Sequence, residues 1–116
     1  MSKLLITNAR LFTAIDEAVI DDGSVLIDGD RIVWSGPAPG LPGLGDDVEQ
    51  IDVGGKFVMP GMTESHVHLS YSNAHPSKLD RQPIPIAMLD AVDNARTLLR
   101  FGFTSAISFG SAQGID

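Results

Sequence analysis

Apolar positions fall in short strand-like runs through the first half of the chain and change to a helical spacing in the second half. Lys3–Phe12 is rich in apolar and β-branched residues. It is closed by the turn signals Asp16-Glu17 and Asp21-Asp22-Gly23, which predicts a first strand. Val25-Leu26-Ile27 and Arg31-Ile32-Val33-Trp34 flank Asp28-Gly29-Asp30, a hairpin signal, because glycine takes positive φ without steric cost. From 35 to 47, seven of thirteen residues are Gly or Pro, which predicts an irregular surface loop. Val48 to Val53 reads as one more strand, ended by Gly54-Gly55. Residues 1–56 are therefore expected to form a small antiparallel β unit.

The second segment, 57–116, is built differently. Phe57-Val58-Met59 is a short apolar run stopped by Pro60-Gly61, and 70–85 is a polar loop carrying Pro76, Pro83 and Pro85. Met88, Ala91, Val92, Ala95, Leu98 and Leu99 then recur at helical spacing and predict one apolar helix face. Asp90 and Asp93 lie early and Arg96 and Arg100 late, which suits the helix dipole. Pro85 precedes the pattern and Gly102 stands where a helix-ending glycine belongs. Phe103 to Phe109 reads as a buried strand, so the order is strand, helix, strand, with parallel strands and a right-handed crossover. Such a unit leaves sheet edges and an apolar face uncovered, so it reads as the opening of a larger protein.

Charge and composition narrow the function classes. Eight basic against 15 acidic side chains give a net charge of −7, so no basic stripe exists to bind nucleic acid. Ten of those acids lie in 1–56 and five in 57–116, consistent with two segments of different character. The absence of cysteine excludes disulfide scaffolds, thiol nucleophiles and thiolate zinc sites. No apolar run is long enough for a secretory signal or a membrane span, so the expected location is the cytoplasm.

Glu64-Ser65-His66-Val67-His68 is the stretch that carries chemistry. On a strand the side-chain period is two, so Glu64, His66 and His68 are expected to project from one face. Neighbouring imidazoles on one face can ligate a single ion, with zinc, iron, manganese and nickel all compatible with nitrogen donors. Glu64 is the candidate for orienting a ligand from behind. The same spacing also describes a half-exposed histidine pair that is merely hydrogen-bonded, and the spacing alone leaves both readings open.

Pro60-Gly61-Met62-Thr63-Glu64-Ser65-His66-Val67-His68-Leu69 resembles the Pro-Gly-x-x-(Asp/Glu)-x-His-x-His signature of the amidohydrolase superfamily of metal-dependent hydrolases. Upstream, the first strand, the hairpin and "IDVGGKFVMPG" look like that superfamily's N-terminal β segment. Downstream, "ARTLLRFGFTSAISFG" is similar to the first barrel helix and second strand of its imidazolonepropionase-like and prolidase-like branch. The resemblance implies an α/β fold. Residues 1–56 would be part of a composite β-sandwich, and 57–116 the first strand–helix–strand of a (β/α)8 TIM barrel with its site at the C-terminal ends of the strands. It implies that His66 and His68 ligate one or two divalent transition-metal ions, zinc first among them. A metal-activated water would then hydrolyse a C–N bond of an amide, cyclic amide or peptide. The family's remaining site residues, a lysine or glutamate, two histidines and an aspartate, have no counterpart in this chain. Related sequences read Gly-Phe-Thr-Thr-Val-Arg-Asp where this one has Gly102-Phe103-Thr104-Ser105-Ala106-Ile107-Ser108, so a polar network at 107–108 is lost or rebuilt.

The remaining candidates are Tyr71 and His75, which either face a substrate from the loop after the histidines or serve as rim and solvated residues. The implied partners are a small-molecule substrate and the remainder of the barrel, as a further segment or a second chain, with no nucleic acid and no membrane. The uncovered sheet also allows a homo-oligomer. The competing reading is a non-catalytic fragment or interaction module that binds metal weakly or not at all. In either case the chain by itself is expected to be inactive, poorly folded or self-associating.

Overall fold

A computed structural model describes residues 3–45, 47–71, 78, 81–111 and 114–116, and the chain divides into two compact units, Met1–Pro60 and Gly61–Asp116. The first unit is built around β1 (Lys3–Phe12), which lies between β2 (Val19–Asp28) on one side and β4 (Val48–Asp52) and β5 (Phe57–Val58) on the other. The hairpin from β2 to β3 (Arg31–Pro37) turns at Gly29-Asp30, with the positive φ on Gly29 (61°) and Asp28 paired to Arg31. β3 runs on to Pro37, further than the apolar run predicts, and a single 3-10 turn, Ala38–Gly40, begins the Gly/Pro-rich loop.

The unit is not antiparallel throughout. β4 and β5 both pair with β1 in parallel, and the sheet is mixed. A hydrophobic run identifies a strand but not its partner, and the parallel placement arises because 38–47 returns the chain to the start of β1. Phe57–Val58 extends this sheet, so the break between the units falls after Pro60, not after 56.

Two bulges bend the central pair. Thr7 and Asn8 together oppose the single residue Ser24, and Asp21 and Asp22 together oppose Arg10. Asn8 (φ 55°) and Asp22 (φ 52°) sit in the left-handed region, which these short polar side chains tolerate better than most. Asn8 is held there by its Nδ2–H donating to Asp52 Oδ1 at 3.0 Å, while its carbonyl accepts from Gly55 at 2.7 Å. The core lies against this pair: Ala9, Leu11 and Val25 are buried, with Ile6, Ile20, Ile27, Val53 and Val58 packed on them.

Ala14 is also left-handed (φ 61°) and exposed, but unlike Asn8 it has no polar side chain to stabilise the turn. Ala14→Gly is therefore expected to stabilise the protein by about 1 kcal/mol, the relief of αL strain less the added unfolded-state entropy. Denaturant unfolding at constant m-value checks it, and a loss of stability would refute the strain.

The second unit is β6 (Met62–Val67), α1 (Ile84–Arg100) and β7 (Phe103–Ser108), with β6 and β7 parallel as the strand–helix–strand order requires. α1 begins earlier than its apolar pattern. Pro83 is the N-cap and Pro85 lies inside the first turn, where the amide it lacks would have no helical partner. Asp90 and Asp93 thus lie beyond the first turn, and Asp93 pairs instead with Arg96 at 3.7 Å. At the other end Gly102 takes φ 86° and its N–H donates to Leu99 O at 3.0 Å, a glycine-capped helix end.

The helix face differs from the expected stripe. Ala87 is fully buried and Ala91, Asn94, Ala95 and Leu98 are half-buried. Met88, Val92 and Leu99, read from the sequence as part of the packed face, are 54%, 47% and 62% exposed. One strand pair is too narrow to cover an apolar arc this wide, so its flank stays open.

Candidate metal centre

The end of β6 carries the candidate ligands. β6 and β7 fall out of register between Glu64 and Val67, where Ser65 and His66 oppose the single residue Ile107. This bulge interrupts the strict alternation expected of Glu64, His66 and His68. The two histidines nonetheless converge: His66 Nε2 and His68 Nε2 are 3.3 Å apart, with the rings 5.2 Å apart and edge-on. Glu64 acts differently from the expectation. Its Oε1 accepts the backbone N–H of His66 at 3.2 Å, so it fixes the peptide of the bulge and makes no bond to either imidazole.

His68 is oriented by the backbone of the other strand. Its Nδ1 lies 2.6 Å from Gly110 O, and since a carbonyl only accepts, Nδ1 carries the proton and Nε2 holds a free lone pair. The Tyr71 ring stacks on His68 at 5.0 Å and the Phe109 ring lies 4.7 Å from His66. Tyr71 therefore packs on a candidate ligand, and His75 lies outside the described residues.

The segment following His68 is pinned from two sides. From α1, Asn94 Nδ2–H donates to Leu69 O at 2.7 Å and Tyr71 O at 3.2 Å. From beyond β7, Asp116 Oδ2 accepts from Leu69 N–H at 2.9 Å and the Ser108 hydroxyl at 2.8 Å, and Oδ1 from Ser70 N–H at 2.8 Å. Ser108 thus makes a polar contact of its own, to Asp116. Sequence reasoning missed Gly110, Asn94 and Asp116; only Asn94 left a trace, as a polar residue among the apolar helix positions.

Desolvation raises the Asp116 pKa, but the hydrogen bonds from Ser70, Ser108 and the amides of Ser70 and Leu69 outweigh it and hold the carboxyl below its ordinary 3.8. A depressed folded value means stability that is present above 3.8 and lost as pH falls through the lowered value. Asp116→Asn is therefore expected to destabilise the protein at neutral pH, with the penalty shrinking below pH 3.8. Urea midpoints across that range check it, and a pH-independent penalty would refute it.

The donor set fits a metal in part. Two nitrogens each 2.0–2.1 Å from one ion and at the tetrahedral angle lie roughly 3.3–3.4 Å apart, which the His66–His68 separation of 3.3 Å matches. Among the described residues no third His, Asp or Glu joins them. No helix among those residues is long and apolar enough to cross a membrane.

No protein-family model matches the chain. It is 35% identical over 81 residues to the imidazolonepropionase of Arthrobacter sp. (strain FB24), which is 69% of this chain and 20% of that protein. In structure it is similar to a prolidase crystallised with N-methylphosphonate-L-proline, at TM-score 0.82 and 29% identity, covering 94% of this chain and 26% of the prolidase. It is also similar to a Xaa-Pro dipeptidase with methionine bound in its active site, at TM-score 0.74 and 26% identity, over 94% of this chain and 27% of the dipeptidase. The chain thus spans about a fifth to a quarter of the length of these relatives. By sequence and fold together, it is similar to the N-terminal portion of these amidohydrolase-superfamily hydrolases.

Proposed function

We propose that this chain supplies the first two protein ligands, His66 and His68, of a divalent transition-metal site in a hydrolase that cleaves a C–N bond of an amide, cyclic amide or peptide. Zinc is the first choice of ion, and the substrate is a small molecule. The observation that carries the reading is the pair of Nε2 atoms 3.3 Å apart, one of them with its tautomer fixed by Gly110. The likeness to an imidazolonepropionase and to prolidases supports the C–N bond as the target. β6–α1–β7 is read as the first strand–helix–strand of a (β/α)8 barrel, and the open flank at Met88, Val92 and Leu99 supports further protein covering it.

When bound, the ion lowers the pKa of water so that hydroxide is available near neutral pH, and it polarises the scissile carbonyl. The residues of this chain prepare that chemistry. Gly110 keeps a proton on His68 Nδ1, so in the neutral ring Nε2 is the nitrogen left to ligate. Glu64 holds the His66 peptide, and Phe109 and Tyr71 limit ring rotation. Two nitrogens leave coordination positions for ligands from outside this chain and for substrate.

Native mass spectrometry of the protein as isolated, followed by a Co²⁺ titration, tests the reading. One or two bound metal ions and intense four-coordinate Co²⁺ bands are expected. A metal-free protein with no such bands would instead favour the non-catalytic reading.

A further inference from the structure

The pair of histidines is held by residues that are themselves tied down, and the tie that spans the greatest distance in sequence is Asp116. Its two oxygens accept four hydrogen bonds or more: from the amides of Leu69 and Ser70, from the Ser108 hydroxyl and from the Ser70 hydroxyl. Leu69 and Ser70 follow His68 directly, and Ser70 is fully buried. Ser108 ends β7, two residues before Gly110, whose carbonyl receives the His68 Nδ1–H. The carboxylate therefore ties the chain leaving His68 to the chain leading to its hydrogen-bond acceptor. Without it, two consecutive amides lose their acceptor, and the distance from His68 to Gly110 is no longer set from both ends.

We infer that Asp116 is a positioning residue for the metal site: it fixes the His68–Gly110 hydrogen bond, and through it the tautomer and aim of His68 Nε2 toward His66 Nε2. The inference rests on the proposed ligand role of the two histidines only where metal affinity is concerned. The tautomer of His68 in the metal-free protein is a separate consequence.

The experiment uses the intact protein, metal-free and Co²⁺-loaded, with Asp116→Ala, Asp116→Asn and Ser108→Ala. ¹⁵N-histidine spectra, assigned with His66→Ala and His68→Ala, report the His68 tautomer. Wild type is expected to hold His68 with the proton on Nδ1, and Asp116→Ala to mix the two tautomers. Co²⁺ affinity is expected to fall by about 10–100-fold in Asp116→Ala, the usual cost of removing an outer hydrogen-bond partner. Ser108→Ala leaves the Leu69 and Ser70 amide bonds in place but removes the hydroxyl that also accepts the Gly110 N–H at 3.4 Å, so it is expected to move the same readouts in the same direction. Asp116→Asn keeps the shape but loses one acceptor, so it should fall between wild type and Asp116→Ala; if the alanine variant does not fold, it and Ser108→Ala decide. An unchanged His68 tautomer and unchanged Co²⁺ affinity in folded variants would overturn the inference while leaving the ligand reading intact. If wild type binds no Co²⁺ through the histidines, that reading falls, and the tautomer alone decides for or against Asp116.

Discussion

In a complete hydrolase carrying this segment, His68→Ala is expected to remove metal binding and turnover together, with a larger loss of affinity than the roughly 10–100-fold that outer hydrogen-bond partners cost. A bond that His66 lacks makes His68 the costlier of the two histidines to lose. Its Nδ1–H is the only side-chain donor found on Gly110 O among the described residues, so the ring is aimed before any ion arrives. His66 has no comparable acceptor among those residues; its ring rests against Phe109 and its Nε2 faces His68. In His66→Ala the remaining ligand is still aimed, and a weakened site is expected to persist. In His68→Ala the remaining ligand must also be ordered on binding. Metal content after gel filtration, Co²⁺ affinity and amide-hydrolysis rate are measured on both variants. Normal metal content in His68→Ala would refute its ligand role, and equal losses in the two variants would refute the ordering argument.

The local parts of this fold are legible in the residues. β1 has the limits that its apolar run predicts, the hairpin turns at Gly29-Asp30, and α1 stops just before Gly102. Each is decided within a few neighbours, by β-propensity, by glycine's access to positive φ and by the loss of helical spacing. Pairing is not decided so locally. The parallel docking of β4 and β5 on β1 depends on where the Gly/Pro-rich loop returns the chain, and Val48 to Val53 reads the same in either direction. The bulges at Asn8 and Asp22 are visible only afterwards, as polar residues able to occupy the left-handed region inside otherwise apolar strands.

The candidate site divides in the same way. His66 and His68 stand out because few structural roles call for two imidazoles at that spacing, and their convergence follows from being nearest alternate neighbours. The period-two alternation breaks at Glu64, since a bulge at Ser65-His66 lies between it and the histidines and its carboxylate turns to a backbone amide. The groups that hold His68 come from far along the chain: Gly110 is 42 positions away, and Asp116 is 46 from Ser70. A backbone carbonyl has no sequence signature, and one aspartate among twelve is not distinguished by its neighbours.

Gly61→Ala is expected to destabilise the second unit by about 1–3 kcal/mol, the usual cost of overpacking, and to lower the unfolding temperature by about 4 °C or more. The cause is steric, with no contribution from φ. A Cβ on Gly61 would sit 2.7 Å from Thr104 Cβ, and closer still to Thr104 Oγ1 and Cγ2. Rotating Thr104 moves Oγ1 and Cγ2 but not Cβ, so the strands must part where Met62 N–H donates to Gly102 O at 2.9 Å. Widening that end of β6 and β7 also shifts the bulge and Gly110 at the other end, so a modest loss of metal affinity should accompany the loss of stability. Thr104→Ala in the Gly61→Ala background removes the two nearest atoms and leaves one close contact, so it should recover part of the stability; Thr104→Ser should recover less. Thermal unfolding of the three single variants and the two double variants measures this coupling. A Gly61→Ala protein as stable as wild type, or one that Thr104→Ala does not help, would mean that the glycine before Met62 is not set by the approach of Thr104. The Pro60-Gly61 step would then owe its glycine to something other than the packing of β6 on β7.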